Sequence, residues 1–255
     1  MSFPNAQKLY AVIDGTWPAA VKQALGPWTV RLDDSNSSRV NAATAELPCD
    51  DTDIAIAQDA MIEGKQRPLF MIREGEDALD DILAARGYLI KDPVNMYAAA
   101  ITDIAASDGA AQATEKWPPI AEQAQVWAQG GIGPGRIAVM DRAREPKVTL
   151  LGQVNATPAA TAYVAIAADC AMIHALEVAA SHRRMGLARD LTCAAARWAQ
   201  AHGATYLTLV TTQECPSSTY TASPPRARSH TRTVLSCDPD TTRLPATAIL
   251  VTSSK

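Results

Sequence analysis

The sequence predicts an α/β (α+β) protein, and three observations carry that reading. Lys147–Val154 and residues 162–167 are apolar runs on either side of the turn Asn155-Ala156-Thr157-Pro158, the pattern of a hairpin. A third run, residues 172–178, follows a turn at Asp169-Cys170. Next come the basic glycine turn Ser181-His182-Arg183-Arg184-Met185-Gly186-Leu187-Ala188, a helix over 187–201 with Gly203 as its stop, and a strand over 206–211.

The other elements follow in chain order. Residues 1–26 read as helix, interrupted from Gly15 to Pro18. Trp28–Leu32 alternates weakly and predicts a strand, the polar cluster 33–38 a turn, and 40–45 a second strand. Asp51-Thr52-Asp53 caps a helix running to Gly64. Residues 68–72 form a compact strand, and 77–85 a helix stopped by Gly87. Strands at 88–90 and 94–100 flank an Asp92-Pro93 turn. Residues 107–115, small and polar, read as a linker between a first domain (1–106) and a second (116–255). Trp117-Pro118-Pro119 opens a helix through Ile120, Ala124 and Trp127, which the cluster Gly130-Gly131-Ile132-Gly133-Pro134-Gly135 ends. That cluster follows a helix rather than a strand, and Pro134 lacks a donor, so it reads as a substrate-side loop rather than a phosphate loop. A short helix is expected over 137–140.

Bulk composition narrows the function. A net charge of −4 with no basic stripe before the tail argues against nucleic acid as a partner. No apolar run reaches the length of a membrane span, and Met1-Ser2-Phe3-Pro4-Asn5 shows no secretion signal. Five cysteines, scattered singly, fit neither a metal site nor a disulfide framework. The expectation is a cytoplasmic protein that binds neither membrane nor metal.

The glycine turn carries the chemistry. The first amides of a helix have no intrahelical partner, and that end of the helix is positive. Glycine lets a phosphate approach the backbone, and two arginines add charge and forked donors. A diphosphate is the natural guest. The spacing is neither the P-loop nor the three-glycine dinucleotide fingerprint. It is Arg-x-x-Gly-x-Ala, read at Arg183, Gly186 and Ala188.

That pattern resembles the pyrophosphate loop of the GNAT family of N-acetyltransferases, which hold acetyl-coenzyme A. There it stands between the fourth strand and the third helix. The resemblance covers residues 117–214 and implies a mixed, mainly antiparallel sheet flanked by helices. The run from residue 69 to residue 100 looks like the closing half of the same fold. No Arg-x-x-Gly-x-Gly/Ala loop occurs in it, so the chain reads as two GNAT-like units, the first degenerate and cofactor-free.

The resemblance implies a set of roles. The backbone of Leu176 and Val178 would hold the pantetheine arm beside a bulge that splays the fourth strand from the fifth. The loop Arg183, Arg184, Met185, Gly186, Leu187 and Ala188 would take the diphosphate, and a backbone N–H near Val178 would meet the oxyanion. A base is needed because free amines are largely protonated at neutral pH. His174 and Glu177 are the candidates; strict alternation puts His174 on one face with Met172, Leu176 and Val178, and Glu177 on the other. Tyr220 falls near the position of the family's thiolate-protonating tyrosine. Trp117, Trp127 and Arg136 lie on segments that wall the acceptor site.

After Glu214 the family pattern breaks. Residues 215–226 are rich in Ser, Thr and Pro, and no phenylalanine follows Phe70. Two explanations stand: a reading-frame change near Cys215, or a divergent tail. The expected activity is direct transfer of acetyl from acetyl-CoA to a primary amine of a small molecule or peptide, without an acyl-enzyme, and a homodimer is compatible with it. The rivals are an acyl-CoA-binding regulator without turnover and a scaffold with a vestigial fold.

Overall fold

A computed structural model describes residues 3–105, 113–212 and 227–235. In chain order its helices are α1 (Ala6–Thr16), α2 (Ser38–Asn41), α3 (Asp51–Glu63), α4 (Asp77–Ala85), α5 (Ile101–Ala105), α6 (Ala121–Gln129), α7 (Pro134–Arg142) and α8 (Leu187–Ala201). The strands are β1 (Val21–Leu25), β2 (Trp28–Leu32), β3 (Thr44–Ala45), β4 (Leu69–Ile72), β5 (Leu89–Ala100), β6 (Thr114–Lys116), β7 (Lys147–Val154), β8 (Thr157–Ala167), β9 (Cys170–Val178), β10 (Tyr206–Thr212) and β11 (Ala227–Leu235).

The chain divides into two compact units. One gathers Met1–Pro18 with Tyr97–Val210; the other takes Ala19–Met96. In the first, β6, β7, β8 and β9 pair antiparallel in that order, and β10 joins β9 in parallel. Helix α8 covers one face. Its Leu187, Leu191, Ala195 and Ala199 pack with Leu150, Ala160, Ala162, Val164 and Ile173 of the strands. Those positions on α8 recur every four residues, one stripe of the helix. Helices α1 and α6 lie against β8 and β9 on their other side. Lys8 ties α1 to the β8–β9 turn through Asp169, Nζ to Oδ1 at 2.6 Å.

In the second unit β1, β2 and β3 form a meander, and β4 pairs antiparallel with β11. Its core holds Trp28, Val30, Ile54, Met61, Phe70 and Leu83. Helix α3 starts from a capping box: Asp50 accepts from the amides of Thr52 (2.8 Å) and Asp53 (3.0 Å), and Asp53 accepts from the Asp50 amide at 3.0 Å.

Several elements depart from the sequence reading. Residues 21–25 are strand β1, not helix, because Gly26 (φ 56°) turns the chain back and pairs Leu25 with Trp28. The expected strand over 40–45 shrinks to β3, preceded by the helical turn α2. Strand β5 runs unbroken through Asp92-Pro93, since Asp92 absorbs the bend at φ 53°. The expected linker ends early: Thr114–Lys116 pair with β7. Helix α1, assigned by the sequence to the first domain, packs on β8 and β9. The tail beyond Thr212 lies outside the described residues, apart from the backbone of β11. No helix among the described residues is long and apolar enough to cross a membrane, and no group of His, Cys, Asp and Glu among them is placed to hold a metal ion.

Candidate active site

Strand β9 changes character halfway along. Its first four residues pair with β10, ending at Ile173 opposite Leu209, while β9 itself continues to Val178. On its other edge Tyr163 pairs with His174, but Thr161 pairs with Glu177. Two residues, Ala175 and Leu176, therefore stand opposite one, Ala162: a β-bulge, with Ala175 at φ 50°. The extra residue shifts the alternation by one. His174 and Glu177 thus share the face of Tyr163 and Thr161, and Val178 shares the opposite face with Ala160. This corrects the strict alternation expected from sequence, which separated His174 from Glu177.

The Ala179 amide donates to Ala159 O at 2.8 Å. The neighbouring position, Val178, therefore turns its N–H and C=O away from β8. The Val178 carbonyl accepts from Arg183 Nε at 3.1 Å.

The glycine turn forms the start of α8. A 3₁₀ turn, Ala180–His182, leads into it, and Arg184 lies at φ 66°. Gly186 is the N-cap, in left-handed conformation (φ 88°, ψ −8°), and no side chain caps the helix. The helical ladder begins with the Asp190 amide donating to Gly186 O at 3.0 Å, so the amides of Leu187 and Ala188 lie ahead of it. Residues 183–186 are exposed, and a Cβ at Gly186 would meet nothing within 4 Å. An uncapped helix start, open space at its glycine and neighbouring guanidinium groups together suit a diphosphate. Leu187 is buried in the core and can offer only its backbone.

Glu177 lies between this turn and the end of α6. Its Oε1 accepts from Arg183 Nη2 at 3.1 Å, and its side chain is 18% exposed. Its other end rests on Gly130: a Cβ there would meet Glu177 Cγ at 2.7 Å, and Cδ and Oε2 closer still. One turn earlier on α6, Trp127 donates from Nε1 to the carbonyl of Ala175, inside the bulge, at 2.7 Å. Trp127 is fully buried, so it is core rather than an acceptor contact. The roles of Gly130 and Trp127 toward β9 escaped the sequence reading, because they join residues 47 and 48 positions apart.

His174 is buried, 3% exposed, on the side covered by α1. Its ring stacks on Trp17 with centroids 4.8 Å apart. Nε2 lies 2.8 Å from Thr16 Oγ1, whose own proton goes to Val12 O at 2.7 Å. The imidazole Nε2–H is therefore the donor to Thr16. Tyr163, beside His174 on the same face, donates to Met140 O, and burial pushes its hydroxyl pKa far up. Burial likewise pushes the Cys170 thiol up to about 12. Trp117 stands over Lys147, whose ammonium lies 4.3 Å from the ring centroid and donates to the carbonyls of Asp141 and Ala143 at the end of α7. Tyr220 lies outside the described residues.

Residues 108–217 match the model of the acetyltransferase (GNAT) family. Among solved structures, a GCN5-related N-acetyltransferase from Kribbella flavida shares 17% identity at a TM-score of 0.67, over 94% of this chain and 98% of that one. A putative GNAT-family acetyltransferase from Novosphingobium aromaticivorans shares 12% identity at a TM-score of 0.53, over 89% and 97%. A conserved protein of unknown function from Staphylococcus epidermidis shares 10% identity at a TM-score of 0.59, over 77% and 84%. At such identities the likeness is one of fold. No curated protein matches the chain.

Proposed function

We propose, from the match of residues 108–217 to the GNAT family model, that the chain moves the acetyl group of acetyl-CoA onto a primary amine of a small molecule or peptide. The carrying observation is the bulge at Ala175-Leu176, which frees the end of β9 from β10 and leads it into an uncapped, glycine-started helix. In this reading Arg183 and Arg184 and the amides of Met185 to Ala188 hold the diphosphate, while Leu176 and Val178 offer backbone groups to the pantetheine arm. Acetyl-CoA supplies an acetyl group already activated as a thioester.

The residues of the chain do the rest. Glu177 takes the proton of the incoming ammonium, so that nitrogen can attack. The Val178 N–H donates to the oxygen that gains charge. Tyr220 returns a proton to the departing sulfur. Glu177 is favoured over His174 as the base because the imidazole is buried under α1 and donates to Thr16, whereas the carboxylate lies against an exposed glycine loop. Positioning and preorganised donors account for most of the rate in such a scheme.

We also read residues 1–106 as a degenerate, cofactor-free copy of the fold. The order β4, α4, β5 and the lack of an Arg-x-x-Gly-x-Gly/Ala loop support this, with α1 set apart because it packs on β8 and β9.

The test is titration calorimetry with coenzyme A, followed by thiol release from acetyl-CoA against a panel of amines. Binding with amine-dependent release is the expected result. Binding without release for any amine makes the chain an acyl-CoA-binding regulator, and no binding overturns the proposal.

A further inference from the structure

Helix α6 meets β9 at two places, and both bear on Glu177. Trp127 holds the bulge from one side through the Ala175 carbonyl, at 2.7 Å. Three residues later the helix ends at Gly130, and the Glu177 carboxylate occupies the space where a side chain of that residue would stand. The backbone at Gly130 (φ −88°, ψ 8°) is open to any residue, so conformation does not call for glycine there. Gly131, at φ 76°, is the position where the turn itself favours glycine. What Gly130 supplies is room.

We propose that Gly130 is a positioning residue: its bare Cα is the notch that seats the Glu177 carboxylate between the end of α6 and Arg183. The proposal rests on the reading of Glu177 as the base. The carboxylate is fixed at two ends. Arg183 Nη2 bonds Oε1 at 3.1 Å, and Oε2 lies over the glycine. Gly130 and Gly131 are exposed, so the ammonium of an acceptor reaches the carboxylate across this loop. A methyl group at residue 130 pushes the carboxylate out of its seat while leaving the fold intact, because the atoms that must yield are the far end of one flexible side chain.

The experiment compares Gly130→Ala, Glu177→Gln and the Gly130→Ala/Glu177→Gln double variant in the full chain. Thiol release is followed with benzylamine, an ammonium at neutral pH, and with hydroxylamine, which is neutral there and needs no base. With benzylamine, Glu177→Gln should lower kcat roughly a hundredfold and Gly130→Ala about tenfold. The double variant should be no worse than Glu177→Gln alone. Coenzyme A affinity and the hydroxylamine rate should stay unchanged.

If Glu177→Gln keeps its full rate with benzylamine, the base assignment fails and takes the proposal with it. If Glu177→Gln is impaired but Gly130→Ala is not, or their losses multiply, the notch alone is refuted. Crystal structures of the parent and Gly130→Ala give a readout without turnover: a Glu177 carboxylate that stays in place overturns the proposal.

Discussion

Helices α3 and α8 begin in opposite ways. At α3 the orphan amides are taken by the helix's own carboxylates: Asp50 accepts two and Asp53 reaches back to a third. Asp51, also in that first turn, is paired with Arg86 at 2.6 Å. At α8 the cap is a glycine with no side chain to offer, the amides of Leu187 and Ala188 lie ahead of the ladder, and Arg183 and Arg184 precede them. The same partial positive charge is neutralised locally in one helix and left outward-facing in the other. The two starts differ in what the sequence puts there: carboxylates at α3, and a glycine behind two arginines at α8.

Exchanging the two caps is the strongest way to break this contrast. Gly186→Asp places a carboxylate where the diphosphate is proposed to sit, at a φ of 88° that strains aspartate less than most side chains. Coenzyme A affinity should fall by roughly a hundredfold or more, from lost amides plus like-charge repulsion. A dissociation constant within error of the parent protein's, by titration calorimetry, would erase the distinction.

Arg183→Gln is the next largest. It removes one charged donor and should weaken coenzyme A binding about tenfold, with a smaller loss at higher salt because the group is exposed. Insensitivity of the affinity to this change would move the diphosphate elsewhere.

Asp50→Ala runs the contrast from the other side. It should cost about 1 kcal/mol of stability in chemical denaturation and leave coenzyme A binding untouched. An affinity change as large as that of Arg183→Gln would show that α3 is not simply a capped helix.

The smallest effect concerns pH. The hydrogen bond from Arg86 holds the Asp51 carboxyl below its usual range. Its contribution is present at neutral pH and lost as pH falls through that lowered folded value. The stability difference between the parent protein and Asp51→Asn should be greatest near neutrality and vanish in strong acid. A difference that grows toward acid would reverse the sign and the assignment.

Sequence made the regular parts legible. The bounds of β7 and α8 coincide with the expected ones because hairpin turn, apolar run and flanking glycines all agree locally. The pattern of Arg183, Gly186 and Ala188 was recognisable because its spacing lies within one turn. The bulge was not legible: Ala175 at φ 50° carries no glycine or proline to announce it, and the period-two rule then misassigned every residue beyond it. Glu177 beside Gly130, Trp127 on Ala175 and Thr16 on His174 are encounters between distant segments, which no local pattern encodes. The strand at residues 21–25 went unseen because all but its last residue are exposed and it shows no apolar alternation.

The chain's opening helix has a practical consequence. Because α1 brings Thr16 and Trp17 onto His174, while the second unit begins at Ala19, the unit that carries the candidate site is not a contiguous stretch of polypeptide. Cutting upstream of Tyr97 to excise an autonomous enzyme would strip the lid from an interior imidazole and bare the floor beneath it. Severing this protein into working halves would require a transplant, with the first eighteen residues grafted ahead of the rest.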